Sequence, residues 1–129
     1  MRMWQGRCAL SKIEGIVSPA YTIVTPKKGT NSTYFSYLFK TPRLAYLFFQ
    51  KSQGLVSDTW NCKFKDFSKV KYQVPDYDEQ TAIANILTIS DQEIEVLEKK
   101  RALIEAQKKF LLNNLVTGKI RLPEFINAN

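Results

Sequence analysis

Residues 75–123, PDYDEQTAIANILTISDQEIEVLEKKRALIEAQKKFLLNNLVTGKIRLP, decide the architecture of this chain. The segment opens on Pro75 and a group of carboxylates, continues as one apolar-periodic pattern, and stops at Gly118, with Pro123 just beyond. Proline and acidic residues favour the start of a helix, and glycine favours its end. We therefore predict one long helical region over residues 78–119, followed by a short C-terminal tail over residues 120–129.

Apolar side chains recur along this region at alternating steps of three and four residues, with Arg101 and Lys108 among the interruptions. Such spacing places them on one helix face and is typical of a coiled coil. We predict that this face is buried against a second copy of the chain or against a partner's helix, in either a parallel or an antiparallel pair. Its apolar members, called the seam below, are Ile83, Leu87, Ile94, Leu97, Ile104, Leu111 and Leu115. Capping-type spacings near residues 88–90 also predict a break or kink there.

The positive charge of the chain is concentrated before the long helix. Residues 1–77 carry 12 Lys and Arg against 4 Asp and Glu, whereas residues 78–119 carry 6 against 7. A basic part followed by a nearly neutral helical part is typical of a protein that binds a polyanion with one part and a protein with the other. We predict that residues 1–77 bind the polyanion.

Residues 1–77 show mixed secondary-structure signals, so we predict an α+β fold with a small mixed head. Residues 15–27 are rich in β-branched and aromatic side chains and predict a strand, and residues 70–74 predict a second. Asn31 is expected to cap a helix running to about Phe39, and Thr41 to cap another that ends near Gly54. We expect the aromatic residues of these two helices to form core rather than a base-stacking platform.

Several classes of function are excluded by composition. The chain has no histidine, which excludes Ser-His and Cys-His nucleophile pairs and leaves too few ligands for a zinc site. The five glycines are scattered, so no phosphate-binding loop or dinucleotide fold is expected. We predict no metal, no cofactor and no active site, with both cysteines reduced. No apolar run is long enough to cross a bilayer, and a cytoplasmic location is expected.

Three motifs in order carry a family resemblance. They are the basic-aromatic TWNCKFKDFSKVKYQVP over residues 59–75, the acidic DYDEQTAIA over residues 76–84, and the closing LLNNLVTGKIRLP over residues 111–123. With these three motifs in this order, the chain strongly resembles the specificity subunit of type I restriction–modification enzymes. In that family a DNA target recognition domain is followed by a conserved helix that begins near E-Q-x-x-I-A and ends near L-x-T-G-K.

The resemblance implies a non-catalytic subunit that recognises a sequence in double-stranded DNA. It also implies docking on a methyltransferase subunit and, through it, on a restriction subunit. A full subunit of the family carries two recognition domains and two helical regions. The resemblance implies that this chain has part of one DNA-binding recognition domain, over residues 1–77, and a single helical region, over residues 78–119. We therefore expect sequence-specific reading by this chain alone to be poor or absent.

Recognition domains of this family present polar loops to DNA, and the loop before residue 64 fits that description. Hydroxyl, amide and ammonium groups there, together with basic and polar residues near the N-terminus, are the predicted DNA-binding set: Arg2, Gln5, Arg7, Lys12, Ser57, Thr59, Asn61, Lys63 and Lys65. Trp60 is expected to pack in the core, with stacking on nucleic acid as the alternative. The alternative hypothesis is a coiled-coil interaction protein, or a truncated remnant, without specific DNA binding of its own.

Overall fold

The computed structural model describes residues 3–52, 54 and 61–126, and the chain divides into two compact units, residues 1–86 and 87–129. The first unit contains a 3-10 turn at Met3–Gln5, three short helices and the start of a long fourth helix. The helices are α1 (Ser32–Leu38), α2 (Pro42–Lys51), α3 (Phe64–Phe67) and α4 (Tyr77–Leu111). The second unit contains the rest of α4, a π-helical turn at Leu112–Val116 and a 3-10 turn at Pro123–Phe125.

Local signals account for the starts of α1 and α2. The Asn31 side chain accepts a hydrogen bond from the Tyr34 backbone N–H at 3.0 Å, which confirms the predicted cap of α1. Pro42 opens α2, where its missing N–H would be unbonded in any case. The Thr41 hydroxyl does not cap α2 but donates to the Leu38 carbonyl at 2.7 Å.

The core of the first unit is small and largely aromatic. Its buried apolar side chains are Met3, Tyr34, Leu38, Leu44, Phe48, Cys62 and Ala84. The Phe48 and Phe67 rings stack with centroids 5.3 Å apart, and the Phe39 ring meets each of them edge-on at 5.8 Å. These contacts join the end of α1 to α2 and α3. The prediction that the aromatic residues of the first two helices form core is therefore correct for Tyr34, Phe39 and Phe48. The exposed rings of Tyr46 and Phe49 instead stack on each other at 6.3 Å.

The predicted α+β fold is wrong for the described residues, in which no strand forms and a β-type bridge occurs only at Asn61. Residues 15–27 are irregular, and Ile16 and Ile23 are almost fully exposed, at 103% and 74%. A strand needs a neighbour to accept and donate its backbone hydrogen bonds, and residues 15–27 form no ladder with any described segment. The β-branched residues of this segment therefore favour an extended backbone, but the segment has no paired strand in the described part of the chain.

Residues 70–74 also form no strand, although their alternation has a structural counterpart. Val70 and Val74 are half-buried and pack against the core, whereas residues 71–73 are exposed. The predicted alternation therefore coincides with burial at Val70 and Val74 but not at Tyr72, which is exposed, and the predicted backbone conformation is wrong. The predicted end of α2 near Gly54 is likewise displaced, since α2 ends at Lys51 with Ser52 following it.

The long predicted helix is present as α4, which continues unbroken through residues 88–90, where a break was predicted. The π-helical turn Leu112–Val116 follows it directly. Gly118 then adopts a left-handed conformation with φ of 71°, and the Ile120 N–H donates to the Asn114 carbonyl at 3.0 Å. This is the glycine-dependent termination that the sequence predicted. None of the described helices is long and apolar enough to cross a membrane.

Candidate functional site

The start of α4 is fixed to α1 through one buried glutamine. Gln80 is 2% exposed; its Oε1 accepts from the Asn31 backbone N–H at 3.0 Å, and its Nε2 donates to the Pro75 carbonyl at 2.8 Å. The Asn31 side-chain amide donates in turn to the Thr81 hydroxyl at 3.1 Å. Ala84, one turn further along α4, is buried in the same unit. The E-Q-x-x-I-A motif therefore anchors the first turns of α4 to the core.

Sequence reasoning identified this motif but not its physical role. Glutamine is usually exposed, so periodicity gave no reason to place Gln80 inside. The available sequence signal was Ala84, four residues later on the same helix face. A small side chain next to Gln80 allows a neighbouring backbone to approach the helix closely. Ile83 of the predicted seam also packs partly against this core.

The predicted DNA-binding residues are placed at several points of the first unit. Gln5 and Arg7 are exposed beside the turn at Gly6, whose Cα faces the backbone of Lys40. Lys12 is exposed on the irregular segment, Lys63 and Lys65 are exposed at the start of α3, and Asn61 is half-buried. Arg2, Ser57 and Thr59 lie outside the described residues, as does Trp60. Of the predicted DNA-binding loop, the structure therefore describes mainly the last residues, 61–63.

The surface around α3 carries lysines and one carboxylate. Lys69 Nζ lies 2.8 Å from Asp66 Oδ1 in an exposed ion pair. The hydrogen bond from Lys69, together with the positive charges of Lys65 and Lys51, lowers the pKa of the Asp66 carboxyl. Asp66 is therefore ionised at neutral pH and compensates part of the local positive charge, which leaves a net basic surface around Lys63 and Lys65.

A second basic surface, which sequence reasoning missed, lies between α2 and the segment before α4. The Arg43 guanidinium carbon lies 5.7 Å from the centroid of the Tyr72 ring. Both residues line a groove of about 500 Å³ whose other lining residues are Leu47, Lys71 and Gln73. Among the described residues, no carboxylate lines this groove. The adjacent basic and aromatic residues Lys71 and Tyr72 were the available sequence signal for this surface. Arg43 is remote from them in the chain, so no sequence pattern indicated that it lies beside them.

The seam residues beyond Ile83 lie in the second unit. Leu87, Ile94, Leu97, Ile104 and Leu111 are between 37% and 56% exposed, and Leu115 is half-buried. Ile104, Lys108, Leu111 and Leu115 line one shallow depression of about 480 Å³. Apolar side chains exposed at this spacing form a continuous surface that suits a second helix.

A further apolar row runs along α4 outside the seam. We call it the outer row; it consists of Ile89, Val96, Leu103 and Phe110, spaced seven residues apart and between 57% and 72% exposed. Ion pairs at a spacing of four, Lys99 with Glu95 at 2.6 Å and Arg101 with Glu105 at 2.9 Å, support the helix itself. Across the described residues no cluster of His, Cys, Asp and Glu could hold a metal ion.

Comparison with known proteins identifies the family. The model of the family described as "Type I restriction modification DNA specificity domain" matches residues 4–106, which is most of the chain. The match includes the described helices α1 to α3, the Gln80 anchor and the greater part of α4. The chain belongs to this family, as the motifs of residues 59–123 predicted.

A curated relative agrees with this assignment. The putative type I restriction enzyme MjaX specificity subunit of Methanocaldococcus jannaschii is 43% identical over 58 residues, which is 45% of this chain. The aligned region is 14% of that relative's length, so this chain corresponds to a small part of it. No solved structure matches this chain.

Proposed function

We propose that this chain is a non-catalytic DNA-recognition fragment of a type I restriction–modification system. In this proposal the first unit binds double-stranded DNA, and α4 docks on a methyltransferase subunit and, through it, on a restriction subunit. The observation that carries the proposal is the family match over residues 4–106, in a chain whose positive charge is concentrated before α4. The name of the matched relative gives the same class of subunit.

The DNA-binding part of the proposal rests on charge. Residues 1–77 have a net charge of +8, and the lysines at α3 exceed the single carboxylate of Asp66. Lysines that contact phosphates release counterions, so binding weakens steeply as salt rises. We propose that Gln5, Arg7, Lys12, Asn61, Lys63 and Lys65 contribute to this surface, with Arg2, Ser57 and Thr59 completing the set predicted from sequence. Binding is expected to be largely independent of sequence.

The docking part of the proposal rests on the seam. Its residues in the second unit are substantially exposed, and an isolated surface helix of this kind gains stability by burying its apolar stripe. A methyltransferase subunit that offers a helix, or a second copy of this chain, would bury it. In a purified sample without partners we expect the second copy to do so.

A titration of the full chain with fluorescent duplex DNA tests the proposal. The expected result is an affinity that falls steeply between about 50 and 200 mM salt and is similar for unrelated sequences. The alternative function, an interaction protein that pairs through its helix and has no DNA affinity, is favoured by the same exposed seam. Absence of binding to any duplex at low salt, with self-association retained, would establish that alternative.

A further inference from the structure

The groove beside Arg43 has the composition of an anion-binding surface. Its polar lining comes from Arg43 on α2 and from Lys71, Tyr72 and Gln73, which precede α4. All four are exposed. The groove belongs to the first unit, to which the proposed function assigns DNA binding, but none of its residues was in the predicted DNA-binding set.

The Arg43 side chain is held in place before any ligand arrives. Its guanidinium lies over the Tyr72 ring at 5.7 Å, within the range of a cation–π contact. A guanidinium in a cation–π contact of this kind still has N–H groups available, and these match two oxygens of one phosphate. A contact that exists before binding also reduces the side-chain entropy lost on binding.

No described carboxylate neutralises the positive charge in the groove. Within the described residues neither Arg43 nor Lys71 forms an ion pair, in contrast to Lys69, Lys99 and Arg101. Leu47 supplies the apolar wall, and the Gln73 amide is a further hydrogen-bond donor at the groove. Two free cations with an amide donor and no carboxylate suit a pair of adjacent backbone phosphates.

We propose that this groove binds the phosphate backbone of duplex DNA, with Arg43 paired to one phosphate, Lys71 to its neighbour and Tyr72 orienting Arg43. This inference rests on the proposed function, because it assigns a site to the DNA binding proposed there. It adds a second contact surface to the one at Lys63 and Lys65.

The experiment compares three forms of the full chain: the parent, the Arg43→Ala/Lys71→Ala variant and the Lys27→Ala/Lys28→Ala variant. The last removes the same charge from the same unit, at the turn before α1. Binding of one fluorescent duplex is measured by anisotropy at several salt concentrations. We expect the groove variant to bind at least about tenfold more weakly and to lose about 2 from the salt slope, which corresponds to two phosphates. The control should match the parent.

The Lys71→Glu variant keeps both Arg43 and Tyr72 and reverses the charge at Lys71. It should weaken binding more than Lys71→Ala does. Circular dichroism of every form verifies that the helices are retained. A parent that binds duplex while the groove and control variants share its affinity and slope would overturn this inference and leave the proposed function standing. A parent that binds no duplex would overturn both.

Discussion

The backbone N–H of Asn31 donates to the side-chain oxygen of Gln80 at 3.0 Å, which joins the residue that caps α1 to the first turn of α4. The two residues are 49 positions apart in the chain. Because Gln80 is buried, the hydrogen bond is shielded from water. Leaving either the donor or the acceptor without its partner would therefore lower the stability of the folded state. We therefore expect Gln80 to contribute to the stability of the first unit.

Gln80→Ala is predicted to destabilise the first unit by about 2 kcal/mol, since it leaves the Asn31 N–H and the Pro75 carbonyl without their partner. Urea unfolding followed by near-ultraviolet circular dichroism, which reports the aromatic core, measures the loss. Hydrogen exchange at the Asn31 amide should also accelerate. Gln92→Ala is the matched control, because Gln92 is an exposed glutamine on the same helix and should change stability by no more than about 0.5 kcal/mol. Equal stability of the two variants would contradict the anchoring role.

The elements that sequence predicted correctly depend on local chemistry. The Asn31 cap, the proline that opens α2 and the left-handed Gly118 each require only a few neighbouring residues. The long helix α4 is also local in this sense, since a helix satisfies its own backbone hydrogen bonds. These signals were therefore readable without knowledge of tertiary contacts.

The elements that sequence predicted wrongly, or did not find, depend on distant partners. A strand at residues 15–27 needs a neighbouring strand, and no propensity of its own supplies one. The buried position of Gln80 depends on Asn31, and the groove depends on Arg43 approaching Tyr72 across 29 positions of chain. Such pairings leave no periodic pattern in the sequence, so the sequence indicated neither the burial of Gln80 nor the groove beside Arg43.

The buried thiol of Cys62 is predicted to make stability depend on alkaline pH. Cys62 is fully buried, and burial, followed by the negative charge of Asp66, raises the pKa of its thiol above the usual 9.0. The folded state therefore favours the neutral thiol, so this stability is complete below pH 9 and is lost as pH rises through the folded-state pKa. The urea midpoint of the parent should fall more between pH 8 and pH 10 than that of Cys62→Ala. An identical fall in both would refute the assignment.

The lysines at the start of α3 are predicted to contact phosphates. Lys63→Ala and Lys65→Ala should each weaken duplex binding similarly for all sequences and reduce the salt slope by about 1. Lys100→Ala and Lys109→Ala, on the exposed surface of α4, remove the same charge as controls and should change neither quantity. Asp66→Asn should have the opposite effect and strengthen binding, because it removes the carboxylate that compensates these lysines. A Lys63/Lys65 double variant with the parent's affinity would remove this surface from the proposed DNA contact.

The seam is predicted to be the surface through which α4 associates, either with a second copy or with a partner's helix. Leu97→Asp/Ile104→Asp places two charges in the seam and should weaken association at least about 100-fold, which is about 3 kcal/mol. Val96→Asp/Leu103→Asp is the matched control, because it makes the same changes one residue earlier, in the outer row, with the same cost in helix propensity. Sedimentation velocity over a range of concentrations measures self-association, and co-purification measures methyltransferase docking. If the seam variant associates as the parent does, or if the control loses association equally, α4 does not use this face selectively.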